Sequence, residues 1–206
     1  MHPLVGVVIA YLAGSIPFAF LAGKARGIDL REHGSGNLGA TNAVRVLGKR
    51  IGAFVYLGDT LKGMLPVLLL PSHVATARPD IWAIAFGVAA IVGHIFPVFL
   101  LGQGGGKGVA TSGGVFFGLA FVPTLIALLA FIAALALSRR SSVGSITAAV
   151  VLPVALCISR GVNNPLSIIC IIVSLIVIWK HRSNISRIRA GTEPRIGDPK
   201  TGAAKA

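Results

Sequence analysis

Apolar residues fill six long runs of the chain, roughly 3–22, 51–71, 81–101, 112–138, 143–159 and 164–179, and short polar stretches separate them. An α-helix needs about 20 apolar residues to cross the roughly 30 Å hydrocarbon core of a bilayer. The pattern therefore predicts an all-α polytopic membrane protein. The first run lacks the basic flank of a signal peptide and further spans follow it, so it reads as a retained span.

Lys and Arg between the runs decide sidedness. Lys24, Arg26, Arg31, Arg45, Lys49 and Arg50 crowd the stretch 24–50, and Lys180, Arg182, Arg187, Arg189, Arg195, Lys200 and Lys205 crowd the C-terminal end. The positive-inside tendency puts both on the cytoplasmic side. The five runs between them cannot join two points on one side. The stretch 109–138 resolves the parity, because it is long and is interrupted by Gly118 and Pro123. Two short helices meeting near Pro123, each shorter than a standard span, would also place Arg139 and Arg140 inside. The expectation is seven transmembrane helices, some short, with the N-terminus out and the C-terminus cytoplasmic. Arg78 and Arg160 are then the only basic residues in outer loops. Residues 1–197 are expected to form one integral membrane domain, and 198–206 a short polar tail.

Composition agrees with a membrane scaffold: of 206 residues, 54% are hydrophobic and 12% charged, and the mean hydropathy is +0.84. A net charge of +13 would suit nucleic acid only on a soluble basic domain, and there is none. Juxtamembrane loops against anionic membrane lipid account for it, and an anionic substrate is compatible with it. Cys157 and Cys170 lie in apolar runs and form no disulfide framework. The residues five after each histidine are Val7, Leu38, Arg78, Phe99 and Ser186, so the His-base acyltransferase arrangement, which needs Asp there, is missing. No HEXXH or Cys/His cluster occurs, so neither a catalytic metal nor a cofactor is expected.

Candidate chemistry falls in stretches on the cytoplasmic side. His33-Gly34-Ser35-Gly36-Asn37-Leu38-Gly39-Ala40-Thr41-Asn42, closed by Arg45 and Lys49, is polar and glycine-rich between apolar runs. It leads into a helix-compatible segment whose first N–H groups can face an anion. Gly102 to Ser112 contains Gly104, Gly105, Gly106, Lys107 and Gly108, a backbone able to wrap an anion beside a cation. It is not a Walker A loop, since Gly108 follows the lysine and Leu101 replaces the leading glycine. Arg139-Arg140-Ser141-Ser142-Val143-Gly144-Ser145 is basic and hydroxylic at a helix start, where a serine either caps the helix or binds a ligand. His181 and Asn184 are spaced to share a helix face, and Glu193 follows with basic neighbours. Within a span, Asp59 and Lys62 are placed to pair, either neutralising each other or bracing the cytoplasmic site; His94 is open to the same two readings.

Assembled, these stretches resemble the bacterial acyl-phosphate:glycerol-3-phosphate acyltransferases, which make lysophosphatidic acid. The resemblance rests on Gly34-Ser35-Gly36-Asn37 with Gly39-Ala40-Thr41-Asn42 through Arg45; on Gly93-His94, Pro97 and Gly105 to Thr111; on Ser142 with Gly144-Ser145; and on His181, Asn184, Arg187, Gly191 and Glu193, with Asp59, Lys62 and Gly63 in the second span. It implies a seven-helix inner-membrane enzyme with a cytoplasmic active site. The acyl group would pass from acyl phosphate, made by an upstream enzyme, to the sn-1 hydroxyl of glycerol 3-phosphate. By position, Ser35, Arg45, His181 and Asn184 would be catalytic. Asn37, Thr41, Asn42 and Ser142 would bind substrate and phosphate, Gly104 to Gly108 with Lys107 would bind glycerol 3-phosphate, and Glu193, Asp59 and Lys62 would be structural. Leu38 stands where the family often has proline, which is expected to loosen the loop. Gly104 stands where many members carry a basic residue, which shifts phosphate binding to Lys107 and Arg45. Two other classes compete on sequence: a transporter for an organic phosphate or anion, and a structural membrane adaptor.

Overall fold

A computed structural model describes residues 1–198. The expected tail at 199–206, with Lys200 and Lys205, lies outside the described residues. Ten α-helices occur among the described residues: α1 Pro3–Ser15, α2 Phe18–Lys24, α3 Ala40–Leu47, α4 Lys49–Leu69, α5 Pro79–Ile95, α6 Val109–Leu119, α7 Phe121–Ser138, α8 Ser141–Arg160, α9 Pro165–Lys180 and α10 Arg182–Arg189. They form two compact units, Met1–Leu119 and Ala120–Asp198.

Five stretches are long and apolar enough to cross a membrane: Pro3–Lys24, Lys49–His73, Pro79–Leu100, Phe121–Ser138 and Ser141–Arg160. The pair α9 and α10, bent by 54° at His181, makes a sixth if taken as one span. The remaining apolar helix, α6, has 11 residues and at 1.5 Å per residue reaches only about 16 Å. Large apolar side chains such as Leu137 and Ile158 stand exposed on these helices, as lipid-facing residues do.

Helix packing follows from that environment. Lipid tails are as apolar as leucine, so helices associate through close backbone approach at small residues rather than through burial of apolar surface. In the first unit α1 packs on α5 and α4 on α6. A Cβ on Gly14 of α1 would strike the backbone of Ala90 in α5, and one on Gly93 of α5 the Tyr11 carbonyl in α1. On the other seam, a Cβ on Gly63 would strike the Thr111 carbonyl, and one on Gly114 the Thr60 carbonyl. In the second unit α8 packs against both α7 and α9.

Two helix breaks differ from the sequence expectation. The first run is interrupted at Ile16-Pro17: proline disfavours a helical conformation in the residue before it, and Ile16 is extended at φ −61°, ψ 114°. The break within 109–138 falls at Ala120 (φ −152°, ψ 71°) and not at Pro123. Pro123 sits in the first turn of α7, where a missing N–H removes no intrahelical bond, so it does not break the helix. With 18 residues, α7 is long and apolar enough to cross a membrane by itself, so of the two halves only α6 is short.

Candidate active site

In the first unit the polar loop between α2 and α3 is built around Asn42. This side chain is buried at 1% exposure. Its Oδ1 accepts from the Ser35 N–H at 2.9 Å, and its Nδ2 donates to the carbonyls of Leu30 (3.1 Å) and His33 (3.0 Å). Gly34 has φ +64°, and a Cβ there would strike Asn42 Oδ1, so the turn requires glycine on both counts. Asn42, expected to bind substrate, therefore has its amide engaged with the loop's own backbone. Ser35 rides this frame and is exposed, as is Thr41 in the first turn of α3; Asn37 and Arg45 are half-buried.

Leu38, the residue expected to loosen the loop, has its side chain packed inward. It is buried in a cluster with Ala19, Leu30, Ala43 and Val55, which pins the loop to α2, α3 and α4. Before the loop's crest, Arg31 makes bidentate contact with Asp29, the shortest pair being 2.6 Å. The Arg31 hydrogen bonds hold the Asp29 carboxyl down at about 2.

The second glycine-rich loop lies against the first. The space beyond Gly104 is taken by the Arg31 stem and the Leu38 side chain, each 3.3 Å from where a Cβ would be. Gly106 has the Leu38 carbonyl on one side and the His94 ring on the other, and Gly105 sits against the His94 and Ile95 carbonyls at the end of α5. Neither of these two positions has room for a side chain. Lys107 follows, half-buried, and α6 starts two residues later. Ser112 Oγ donates back to the Gly108 carbonyl at 2.6 Å, which ties the loop to the helix.

Beneath these loops, Lys62 Nζ lies 2.7 Å from Asp59 Oδ1 and donates to the Ile16 carbonyl, also at 2.7 Å. That carbonyl belongs to the residue where proline breaks α1 from α2. His94 Nδ1 is 3.7 Å from the same Asp59 oxygen. A narrow cleft opens here, walled by Ser15, Leu38, Asp59, Lys62, His94 and Gly104 to Gly106 among others.

The second unit holds its own polar cluster, centred on Glu193. Oε1 accepts from Ser142 Oγ at 2.6 Å and from Asn184 Nδ2 at 2.7 Å, and Oε2 accepts from Arg187 Nε at 2.7 Å. Burial pushes the Glu193 carboxyl up, but the hydrogen bonds from Ser142, Asn184 and Arg187 and the Arg187 charge together outweigh it, leaving it below the usual carboxylate range. The backbone is fastened as well: Arg140 Nε donates to the Glu193 carbonyl at 3.0 Å, and Arg139 to the Ile196 carbonyl at 3.0 Å. Neither Ser141 nor Ser142 caps α8; Arg140 is the N-cap residue and no side chain caps it. His181 is buried at the bend between α9 and α10, its Nδ1 2.8 Å from the Val177 carbonyl.

The expected site residues thus fall into two sets. Ser35, Asn37, Thr41, Asn42, Arg45, Asp59, Lys62 and Gly104 to Gly108 belong to the first unit; Ser142, His181, Asn184 and Glu193 belong to the second. The sequence alone does not show that Leu38 is buried or that the His94 ring meets Asp59 and Gly106, because those contacts come from other elements.

Known proteins bear directly on this arrangement. The family profile described as glycerol-3-phosphate acyltransferase matches residues 4–191. The glycerol-3-phosphate acyltransferase of Geotalea daltonii is 46% identical over 192 residues, covering 92% of this chain and 95% of its own. That of Geobacter metallireducens is 50% identical over 186 residues, covering 90% and 93%. Among solved structures, PlsY (YgiH), an integral membrane glycerol 3-phosphate acyltransferase, superimposes in its glycerol 3-phosphate form with a TM-score of 0.87 at 36% identity, covering 95% of this chain and 96% of that one. Its lysophosphatidic acid form gives 0.82 at 35% identity, covering 94% of each. This chain, an all-helical multi-pass integral membrane protein, belongs to the glycerol-3-phosphate acyltransferase family.

Proposed function

We propose that this acyltransferase takes its acyl group from acyl phosphate and delivers it to the sn-1 hydroxyl of glycerol 3-phosphate, releasing lysophosphatidic acid and phosphate. The observation that carries the reading is the pair of glycine-rich loops laid against each other at Leu38, one bearing Ser35 and the other Lys107. Two anionic substrates need fixed N–H donors and cations more than they need a nucleophile, and both loops supply backbone and charge. Acyl phosphate is already activated, so positioning and charge compensation supply most of what catalysis requires.

In the step itself, the sn-1 oxygen bonds to the acyl carbon and the bond from that carbon to the phosphate oxygen breaks. The hydroxyl proton passes to the departing phosphate, so no protein base is consumed, in keeping with a sequence in which no histidine is followed five residues later by aspartate. Lys107 and Arg45 offset substrate charge, and Ser35 orients a substrate without forming an acyl-enzyme. Asn42 and Leu38 hold the Ser35 loop in shape. In the second unit His181 and Asn184 are the residues assigned to the reaction, with Asn184 and Ser142 held by Glu193.

The same reading includes seven membrane-crossing helices, with the short α6 as one of them, the N-terminus outside and the chemistry on the cytoplasmic face of a bacterial inner membrane. The basic stretches 24–50 and 180 onward support that orientation. Acyl phosphate is reactive and must come from an upstream enzyme that forms it. The test is purified protein in detergent, supplied with glycerol 3-phosphate and either acyl phosphate or acyl-CoA. Lysophosphatidic acid formed with equimolar phosphate from the first donor, and none from the second, is expected; product from acyl-CoA alone overturns the donor assignment.

A further inference from the structure

Asp59, Lys62 and His94 form a buried polar cluster that the reaction above does not use. Groups of this kind are costly inside a membrane bundle, and apolar side chains would pack α4 against α5 as well or better. What distinguishes the cluster is what it touches. The far nitrogen of the His94 ring, Nε2, stands where a Cβ on Gly106 would be, and the His94 and Ile95 carbonyls stand where one on Gly105 would be. The imidazole is the floor on which the glycine loop rests. On its other side Nδ1 faces Asp59 Oδ1 at 3.7 Å. Asp59 cannot swing away, because Lys62 grips the same oxygen while also donating to the Ile16 carbonyl.

We propose that His94, oriented by Asp59 and Lys62, is a positioning residue that sets where the Gly104 to Gly108 backbone lies and thereby the affinity for glycerol 3-phosphate. The proposal rests on the reading that this loop holds glycerol 3-phosphate. A larger or apolar floor would leave the loop's amides misplaced while the donor's contacts stay as they are. Asp59 supplies the direction of the ring, and Lys62 balances its charge where both are buried.

The experiment compares His94→Leu, His94→Gln and Lys107→Ala, purified in detergent, with KM for each substrate measured at saturating levels of the other. His94→Leu is expected to raise KM for glycerol 3-phosphate about tenfold, the equivalent of one lost positioning contact, with KM for acyl phosphate changed less than about twofold. His94→Gln, which keeps a polar group facing both Asp59 and the loop, recovers most of that loss. If His94→Leu does not fold, Asp59→Asn carries the same test with the same expected split. An unchanged KM for glycerol 3-phosphate, an equal rise in both KM values, or a Gln variant no better than Leu overturns the proposal. Lys107→Ala separates the two layers: if it leaves KM for glycerol 3-phosphate unaltered, the loop assignment fails. If it raises that KM while His94→Leu does not, only the positioning role fails.

Discussion

Replacing Glu193 by alanine strips three donors of their acceptor at once. Ser142 and Asn184 are both buried and share Oε1. Each buried donor left unsatisfied costs about 1–3 kcal/mol, so the two together cost roughly 2–6 kcal/mol. Arg187 is half-exposed and regains water when its partner goes, so its ion pair adds little. For a chain of about 200 residues each kcal/mol moves Tm by about 2–4 °C, which gives a fall on the order of 10 °C. Thermal unfolding of the purified protein in one detergent, followed by near-ultraviolet circular dichroism, measures it. Ser142→Ala, which removes one donor and leaves the carboxylate with two, should cost only about 1 kcal/mol. The pair should be non-additive, because both changes act on one oxygen. A Glu193→Ala protein melting within about 2 °C of the parent would refute the reasoning, since the buried donors would then have found other partners.

Further outcomes are expected from the same geometry. The depressed Glu193 carboxyl contributes stability that is fully present above the ordinary carboxylate pKa and is lost as pH falls through its lower folded value; a melting series from neutral to acid pH should show that loss in the parent and a flatter profile in Glu193→Gln. On α6, Gly114→Ala should destabilise by about 1–3 kcal/mol because its Cβ meets the Thr60 carbonyl. Gly113→Ala, with nothing near its Cβ, should be neutral or stabilising by up to about 1 kcal/mol, and paired melting curves test the contrast. Asn42→Ala should lower kcat/KM by about tenfold or more through the collapsed Ser35 loop, even though its amide is given over to backbone; steady-state kinetics check this. An Asn42→Ala enzyme with parental kinetics would show that the loop keeps its shape without the amide.

The long apolar helices were legible because apolar run length reports directly on bilayer thickness, and the Asp59–Lys62 pair because three residues apart on a helix means adjacent. The helix breaks were harder. Pro123 looks like a breaker, but in a first turn it is harmless, while the break falls at Ala120, nearer to Gly118. Pro17 does break its helix, and there a lysine from α4 takes the carbonyl next to the break. Residue types at the site were legible, yet their partners were not. Nothing near Asn42 in the sequence says that its amide closes on Leu30, His33 and Ser35, and nothing near His94 says that Gly106 and Asp59 flank its ring. Those contacts come from chain segments brought together by folding. Membership in an acyltransferase family decides against the transporter and adaptor readings, which helix breaks and intramembrane charge alone left standing.

Direct transfer between two positioned substrates, with no acylated enzyme, is open to one decisive measurement. The purified protein is mixed with acyl phosphate labelled in its acyl chain, without glycerol 3-phosphate, quenched within a single turnover, and analysed for released phosphate and for label on the polypeptide. The expected result is no phosphate burst and no label at Ser35, followed by full turnover to lysophosphatidic acid when glycerol 3-phosphate is added. A burst stoichiometric with enzyme, with the acyl group esterified to Ser35, would contradict it.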